Sequence, residues 1–221
     1  HSRVLAACFA GADYGPGVAV LAAEREDRIW RAASSWKGYC GMLATTASFR
    51  DHECCLRVLH ELGGDAAASL AAADADGTTP AHYAATNGHE GCLRVLHELG
   101  GNAAASVAAA DAKGGTPAHF AAAFGHEGCL RVLHELGGEA AASVAAADAE
   151  GLTPAHAAAQ EGHEGCLRVL HELGGETAAS LAAAGAKDWT PAHYAAIHGH
   201  GGCLRVLHEL GGEAAASLAA A

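Results

Sequence analysis

A repeat of 37 residues limits what this chain can fold into. Four consecutive near-copies cover residues 74–110, 111–147, 148–184 and 185–221, and a degenerate copy covers 37–73. Such a unit cannot bury its apolar face alone, so neighbouring units must stack into a solenoid. We therefore divide the chain into an N-terminal extension or cap at 1–36 and a repeat domain at 37–221.

Each unit reads as a pair of short helices, which makes the fold class all-α. Thr79 is a predicted N-cap and Pro80 a first helical residue, and this helix stops at Gly88. A second helix begins near His89 and ends at a glycine pair that starts at Gly100. The apolar positions of the second helix recur at helical spacing; they are Cys92, Leu93, Leu96 and Leu99.

The unit resembles an ankyrin repeat. The pattern G-x-T-P-A-H-x-A-A, followed by G-H and a leucine-bearing second helix, occurs four times, with the motif histidines at His82, His119, His156 and His193. The resemblance implies a helix-turn-helix solenoid that binds proteins through its turn tips and the concave face of its first helices. It also implies that the motif histidine is a structural hydrogen-bonder between adjacent loops.

Three departures from that family pattern carry structural expectations. Alanine replaces the usual leucine before the histidine, as at Ala118, so the layers must pack closely to offset the lost apolar area. The unit exceeds the usual length of about 33 residues, and its alanine-rich end either extends the exit of the second helix or adds a short helical turn. Gly185 and Asp188 exchange the usual aspartate and glycine, which predicts a distorted last turn.

The few positions that differ between units locate a candidate partner-binding surface. They fall in the turn, on the first helix and at its exposed end, and several carry large apolar residues where a solvated position would drift towards polar ones. Neutral drift with local packing is the alternative explanation, with Tyr83, Phe120 and Tyr194 partly buried. The predicted partner-binding residues are Asp76, Thr78, Tyr83, Asn87, Lys113, Phe120, Phe124, Leu152, Gln160, Glu161, Lys187, Trp189, Tyr194, Ile197 and His198.

The cysteines and histidines predict neither disulfides nor a catalytic or metal site. Cys92, Cys129, Cys166 and Cys203 share one repeat position, and layers about 10 Å apart exceed the reach of a disulfide, so we expect buried free thiols. The repeat accounts for most of the 16 histidines, and their dispersal along the stack disfavours a converging zinc site. No catalytic site, metal or cofactor is predicted. We expect histidine charge, and partner affinity with it, to change between about pH 5 and 7.

Charge and hydropathy narrow the class of partner. A formal net charge of −12 disfavours nucleic acid, and no apolar run is long enough for direct membrane insertion. We expect an adaptor or scaffold that binds a protein partner in the cytoplasm or another reducing compartment, an organelle stroma included. The alternative is a permanent linker subunit of a large assembly that contacts its neighbours by its ends, which the lack of a polar C-terminal capping helix favours.

Overall fold

The computed structural model describes residues 43–185, 188–216 and 218. The predicted extension at 1–36 and Lys187 lie outside these residues. Three helices recur in each unit. The first helices cover residues 43–49, Pro80–Thr86, Pro117–Ala123, Pro154–Glu161 and Pro191–Ile197. The second helices are Glu53–Leu62, Glu90–Glu98, Glu127–Glu135, Glu164–Leu173 and Gly201–Leu210. The third helices are Gly64–Ala68, Gly101–Ser106, Gly138–Ser143, Gly175–Ala179 and Gly212–Ala216, and a 3₁₀ turn, Ser69–Ala71, follows the first of these.

Capping residues and glycines set these boundaries. Thr116 is extended at φ −98° and directly precedes the helix Pro117–Ala123, as the sequence predicts. The glycine pair divides the rest of the unit, because Gly100 and Gly101 adopt φ of 73° and 52°, which favour glycine. The extra residues of the unit therefore form a separate third helix and do not extend the second.

The core consists of small residues between first helices and larger ones between second helices. Ala81, Ala118, Ala155 and Ala192 are fully buried. First helices of adjacent units are in closer contact than second helices, although they are shorter. Alanine thus permits the close approach that the sequence requires. The largest fully buried side chains include the second-helix leucines Leu93, Leu96, Leu130, Leu133, Leu167 and Leu170.

The turns between units also depend on close backbone approach. Gly114 adopts φ 82°, and a Cβ atom there would lie 2.6 Å from the backbone nitrogen of Ala149 in the next turn. That nitrogen donates a hydrogen bond to the carbonyl oxygen of Lys113 at 2.9 Å. Neighbouring turns are therefore joined backbone to backbone, which requires glycine at this position.

The exchange of Gly185 and Asp188 leaves in place the backbone bonds between those residues of the last turn that the structure describes, 185 and 188–189. Gly185 N–H donates to the Trp189 carbonyl at 2.8 Å, as Asp148 N–H does to Leu152. Asp188 instead adopts the left-handed conformation at φ 56°, which aspartate tolerates better than most residues. The turn loses the side-chain bonds that Asp148 accepts from the backbone of Glu150 and Leu152.

A row of arginine–glutamate pairs joins successive second helices. Each arginine donates from Nη2 to a glutamate Oε2 of the following unit at 2.6–2.7 Å. The pairs are Arg57–Glu98, Arg94–Glu135, Arg131–Glu172 and Arg168–Glu209. The side chains of Arg131 and Glu172 are 44% and 55% exposed, so water screens their attraction and each pair adds little to stability.

We expect Arg131→Gln to lower the free energy of unfolding by less than about 1 kcal/mol, because exposed pairs contribute about 0.2–1 kcal/mol. Arg205→Gln is the matched control. Arg205 holds the same position in the unit 185–221, the fourth of the four near-copies, and forms no ion pair with any residue that the structure describes. Urea denaturation of both variants measures the difference. A loss above about 2 kcal/mol for Arg131→Gln alone would contradict this assessment.

Candidate functional site

The motif histidines fix each turn against the next unit. His82 Nε2 lies 3.0 Å from the Gly115 carbonyl oxygen, His119 Nε2 2.9 Å from that of Leu152, and His156 Nε2 3.0 Å from that of Trp189. The N–H of Thr116 donates to His119 Nδ1 at 3.1 Å, so Nδ1 is an acceptor and Nε2 carries the proton. Each imidazole is thus held neutral, and the interloop role implied by the resemblance is confirmed.

A second set of histidines bonds to the preceding unit, whereas the motif histidines bond to the following one. His126 Nε2 lies 2.9 Å from the Thr86 carbonyl oxygen, at the end of the first helix of the preceding unit. His89, His163 and His200 make the equivalent bond to Phe49, Ala123 and Gln160. The sequence did not assign this role to the G-H histidine, although its return every 37 residues beside a helix end was the available signal. The two sets position the turns and both ends of the first helices.

The degenerate unit accepts the same histidine bond from the unit that follows it. His89 bonds the carbonyl of Phe49 at the end of helix 43–49. Asp51 adopts φ 60° at the position that glycine holds in the other units. The Cys92 thiol also lies 3.7 Å from an Asp51 carboxylate oxygen. From residue 43 onward, this unit therefore packs as the others do despite its missing motif.

One face of each first helix stays open. In the helix Pro117–Ala123, the side chains of Ala118, His119, Ala121 and Ala122 are buried. The open face carries Phe120 and, one turn later, Ala123 and Phe124. Residues three and four apart share a face of a helix, so the variable positions of the turn, the helix and its end form one continuous surface across the units. We call this surface the first-helix face.

The predicted partner-binding residues differ in exposure on this face. Those that are exposed are Asp76, Lys113, Phe124, Glu161, Ile197 and His198. Those that are half-buried are Thr78, Tyr83, Asn87, Phe120, Leu152, Gln160, Trp189 and Tyr194. Among the described residues of the face, Phe124 at 55% and Ile197 at 58% are the most exposed large apolar side chains.

Leu152, Trp189 and Tyr194 are half-buried, because each packs against neighbouring residues; their role in partner binding stays a prediction. The Tyr194 ring lies edge-on to His156 with centroids 5.6 Å apart, and edge-on to Trp189 at 5.7 Å. Leu152 covers Gly185, where a Cβ atom would lie 2.7 Å from Leu152 Cδ2. Phe120 covers His82 in the same way at 5.2 Å. Phe120 and Tyr194, which are half-buried, thus cover the motif histidines His82 and His156.

Tyr83 and Tyr194 occupy the same repeat position but meet different partners. The Tyr83 hydroxyl donates to an Asp74 carboxylate oxygen at 2.9 Å, and this bond raises the pKa of Tyr83. Burial would raise the pKa of Asp74, yet the hydrogen bonds it accepts lower it. Gly185 replaces that aspartate in the fourth unit. Burial and the carboxylates of Glu150 and Asp148 raise the pKa of Tyr194.

The repeat-position cysteines are free and buried, which confirms the prediction. Burial and the Glu90 carboxylate raise the pKa of Cys129 to about 12, and burial raises the pKa of Cys203 to about 11. These thiols are therefore neutral and unreactive at physiological pH. Within the described residues, no three His, Cys, Asp or Glu side chains cluster as metal ligands would.

The comparison with protein-family models decides what this stack is. The model described as ankyrin repeats (3 copies) matches residues 42–143 and again 139–216, which together span most of the chain. The chain belongs to the ankyrin repeat family. No curated protein sequence matches it. Ankyrin repeats are generally protein–protein interaction modules and are typically not enzymes.

The ankyrin stack also has no candidate membrane span in its described part, where each helix is too short or too polar to cross a bilayer. Separately, the first-helix face is the surface of this ankyrin domain on which the side chains that vary between units lie, several of them apolar.

Proposed function

We propose that this ankyrin domain is an adaptor that binds a protein partner on its first-helix face. The observation that carries the proposal is the exposure of Phe124 and Ile197 on that face, at positions that vary between units whose other residues are nearly identical. Exposed apolar side chains cost solubility, and partly buried aromatic residues beside them are typical anchors of interfaces.

The rigidity of the face supports this role. The histidine bonds at 2.9–3.0 Å hold each turn and helix end against its neighbour. A face fixed in this way loses little conformational entropy when a partner binds, which raises affinity. The binding site spans several units, so no single unit suffices for recognition.

A permanent linker subunit that contacts its neighbours by the ends of the stack is the alternative. The end of the described stack can be identified by Ala196, which is exposed in the fourth unit, whereas the equivalent Ala85, Ala122 and Ala159 are buried. A partner on this end would cover Ala196 and leave Phe124 exposed, so the two modes differ in which substitution abolishes binding.

The proposal predicts that a Phe124→Ser and Ile197→Ser variant stays folded and loses the partner, because both side chains are more than half exposed and interface anchors contribute about 2 kcal/mol or more each. The measurement is a pull-down from extract of the source organism, with circular dichroism to verify folding. His60→Ser with His208→Ser is the matched control, since both are exposed on second helices.

Loss of the same protein in the first variant but not in the control supports the first-helix face. Capture by both variants, together with loss in Ala196→Arg, would overturn this proposal in favour of the linker.

A further inference from the structure

Charge is distributed unevenly between the two sides of the stack. On the second helices, four arginines pair with glutamates of the following unit. The first-helix face and its turns hold more carboxylates than cations: Arg50 and Lys113 are the Lys and Arg side chains that the described residues place there, and both lie outside the third and fourth units. The carboxylates of this side belong to Asp74, Asp76, Asp111, Asp148, Glu150, Glu161 and Asp188.

The negative charge borders the apolar part of the face in the third and fourth units. The Leu152, Trp189 and Tyr194 side chains gather there, with the two rings 5.7 Å apart. Glu150 is exposed in the third turn, whose charge acts on Tyr194, and Asp188 directly precedes Trp189. Glu161 is exposed at the end of the helix Pro154–Glu161. It holds the same repeat position as Phe124 in the preceding unit and His198 in the following one. Partly exposed rings therefore lie near carboxylates for which the described residues supply no Lys or Arg partner.

We infer that the partner segment is cationic and extended, with one arginine side chain that pairs with Glu150 or Glu161 in the third unit and a further arginine that lies against Trp189 and Tyr194 in the fourth. The inference rests on the proposed function and specifies the chemistry of the partner. Arginine fits both halves of the surface, because its guanidinium group binds carboxylates and stacks on aromatic rings. An anionic segment, nucleic acid included, is repelled by the same charges.

The repeat also sets the spacing of the charges in the partner. Adjacent units lie about 10 Å apart, and an extended chain advances about 3.3 Å per residue. A segment that crosses the units therefore presents a side chain to each unit about every third residue. Arginine at every third position therefore offers one guanidinium group to the carboxylates of the third unit and the next to the rings of the fourth.

The test uses the full chain and two labelled probe peptides, one with arginine at every third position and leucine and serine between, the other with glutamate in place of arginine. Fluorescence anisotropy measures the dissociation constant at low and at physiological ionic strength. We expect the arginine peptide alone to bind, and to bind more weakly as salt screens the charges.

Two variants with the same change in net charge locate the site. Glu150→Lys with Glu161→Lys reverses the first-helix face; Glu139→Lys with Glu176→Lys reverses exposed residues on third helices, which pack against second helices. We expect the first pair to weaken binding at least about tenfold, as loss of close charge pairs does, and the second pair less than about threefold.

Equal weakening by the two pairs, or binding of neither peptide by the intact chain, overturns the inference. Its failure is distinguishable from failure of the proposed function, because the Phe124→Ser and Ile197→Ser pull-down would still lose the partner if the face binds a protein of different chemistry.

Discussion

His119→Leu is expected to lower the free energy of unfolding by about 2–4 kcal/mol. The substitution leaves the buried Thr116 N–H without its acceptor at 3.1 Å and removes the bond to the Leu152 carbonyl at 2.9 Å. An unsatisfied buried donor costs about 1–3 kcal/mol, and a lost hydrogen bond about 1 kcal/mol. The Leu152 carbonyl keeps its bond from Asp148 N–H at 2.8 Å, which limits the second cost.

His193→Leu is the matched control for this prediction. His193 accepts the Thr190 N–H at 3.1 Å as His119 accepts that of Thr116, but its Nε2 bonds no residue that the structure describes. The difference between the two variants in urea denaturation therefore measures the bond between units, about 1 kcal/mol. In a stack with nearest-neighbour coupling, His119→Leu should also broaden the transition, since it weakens the central junction. Equal losses in the two variants would show that the histidine acts only within its own unit.

The repeat unit could be predicted from sequence because its boundaries depend on local chemistry. Thr116 before Pro117, and the glycines after each helix, specify where helices begin and end whatever lies around them. The third helix could not be assigned in the same way. An alanine-rich segment forms a helix readily, so only the φ of the glycine pair decides that it is separate from the second helix.

Contacts between units were harder to predict, because they join residues that no local rule relates. Arg94 and Glu135 are 41 residues apart, one repeat plus one helical turn, and nothing in a single unit indicates that spacing. The exposure of Trp189 depends likewise on Tyr194 and on the carbonyl that His156 binds. Variation between units thus predicts one side of the stack as the binding surface, whereas packing determines which side chains remain accessible on it.

Acid is expected to destabilise the stack through three buried histidines before its carboxylates titrate. Burial lowers the pKa of His82, His119 and His156, although the carbonyl oxygens that they bond oppose this shift. In the unfolded chain these histidines titrate near their ordinary value of about 6.5. Above that pH both states hold neutral histidine and stability is unaffected; below it the unfolded chain binds protons that the folded stack excludes, until the lowered native pKa is reached.

The free energy of unfolding should therefore fall as pH drops from about 6.5 towards 5, by up to about 1.4 kcal/mol per pH unit for each of the three histidines. Urea denaturation at several pH values in this window measures the slope, and His119→Leu should reduce it by about one proton. A slope that this variant leaves unchanged would contradict the assignment. Because these three histidines exclude protons while the stack is folded, acid should weaken partner binding through them by loosening the junctions between units.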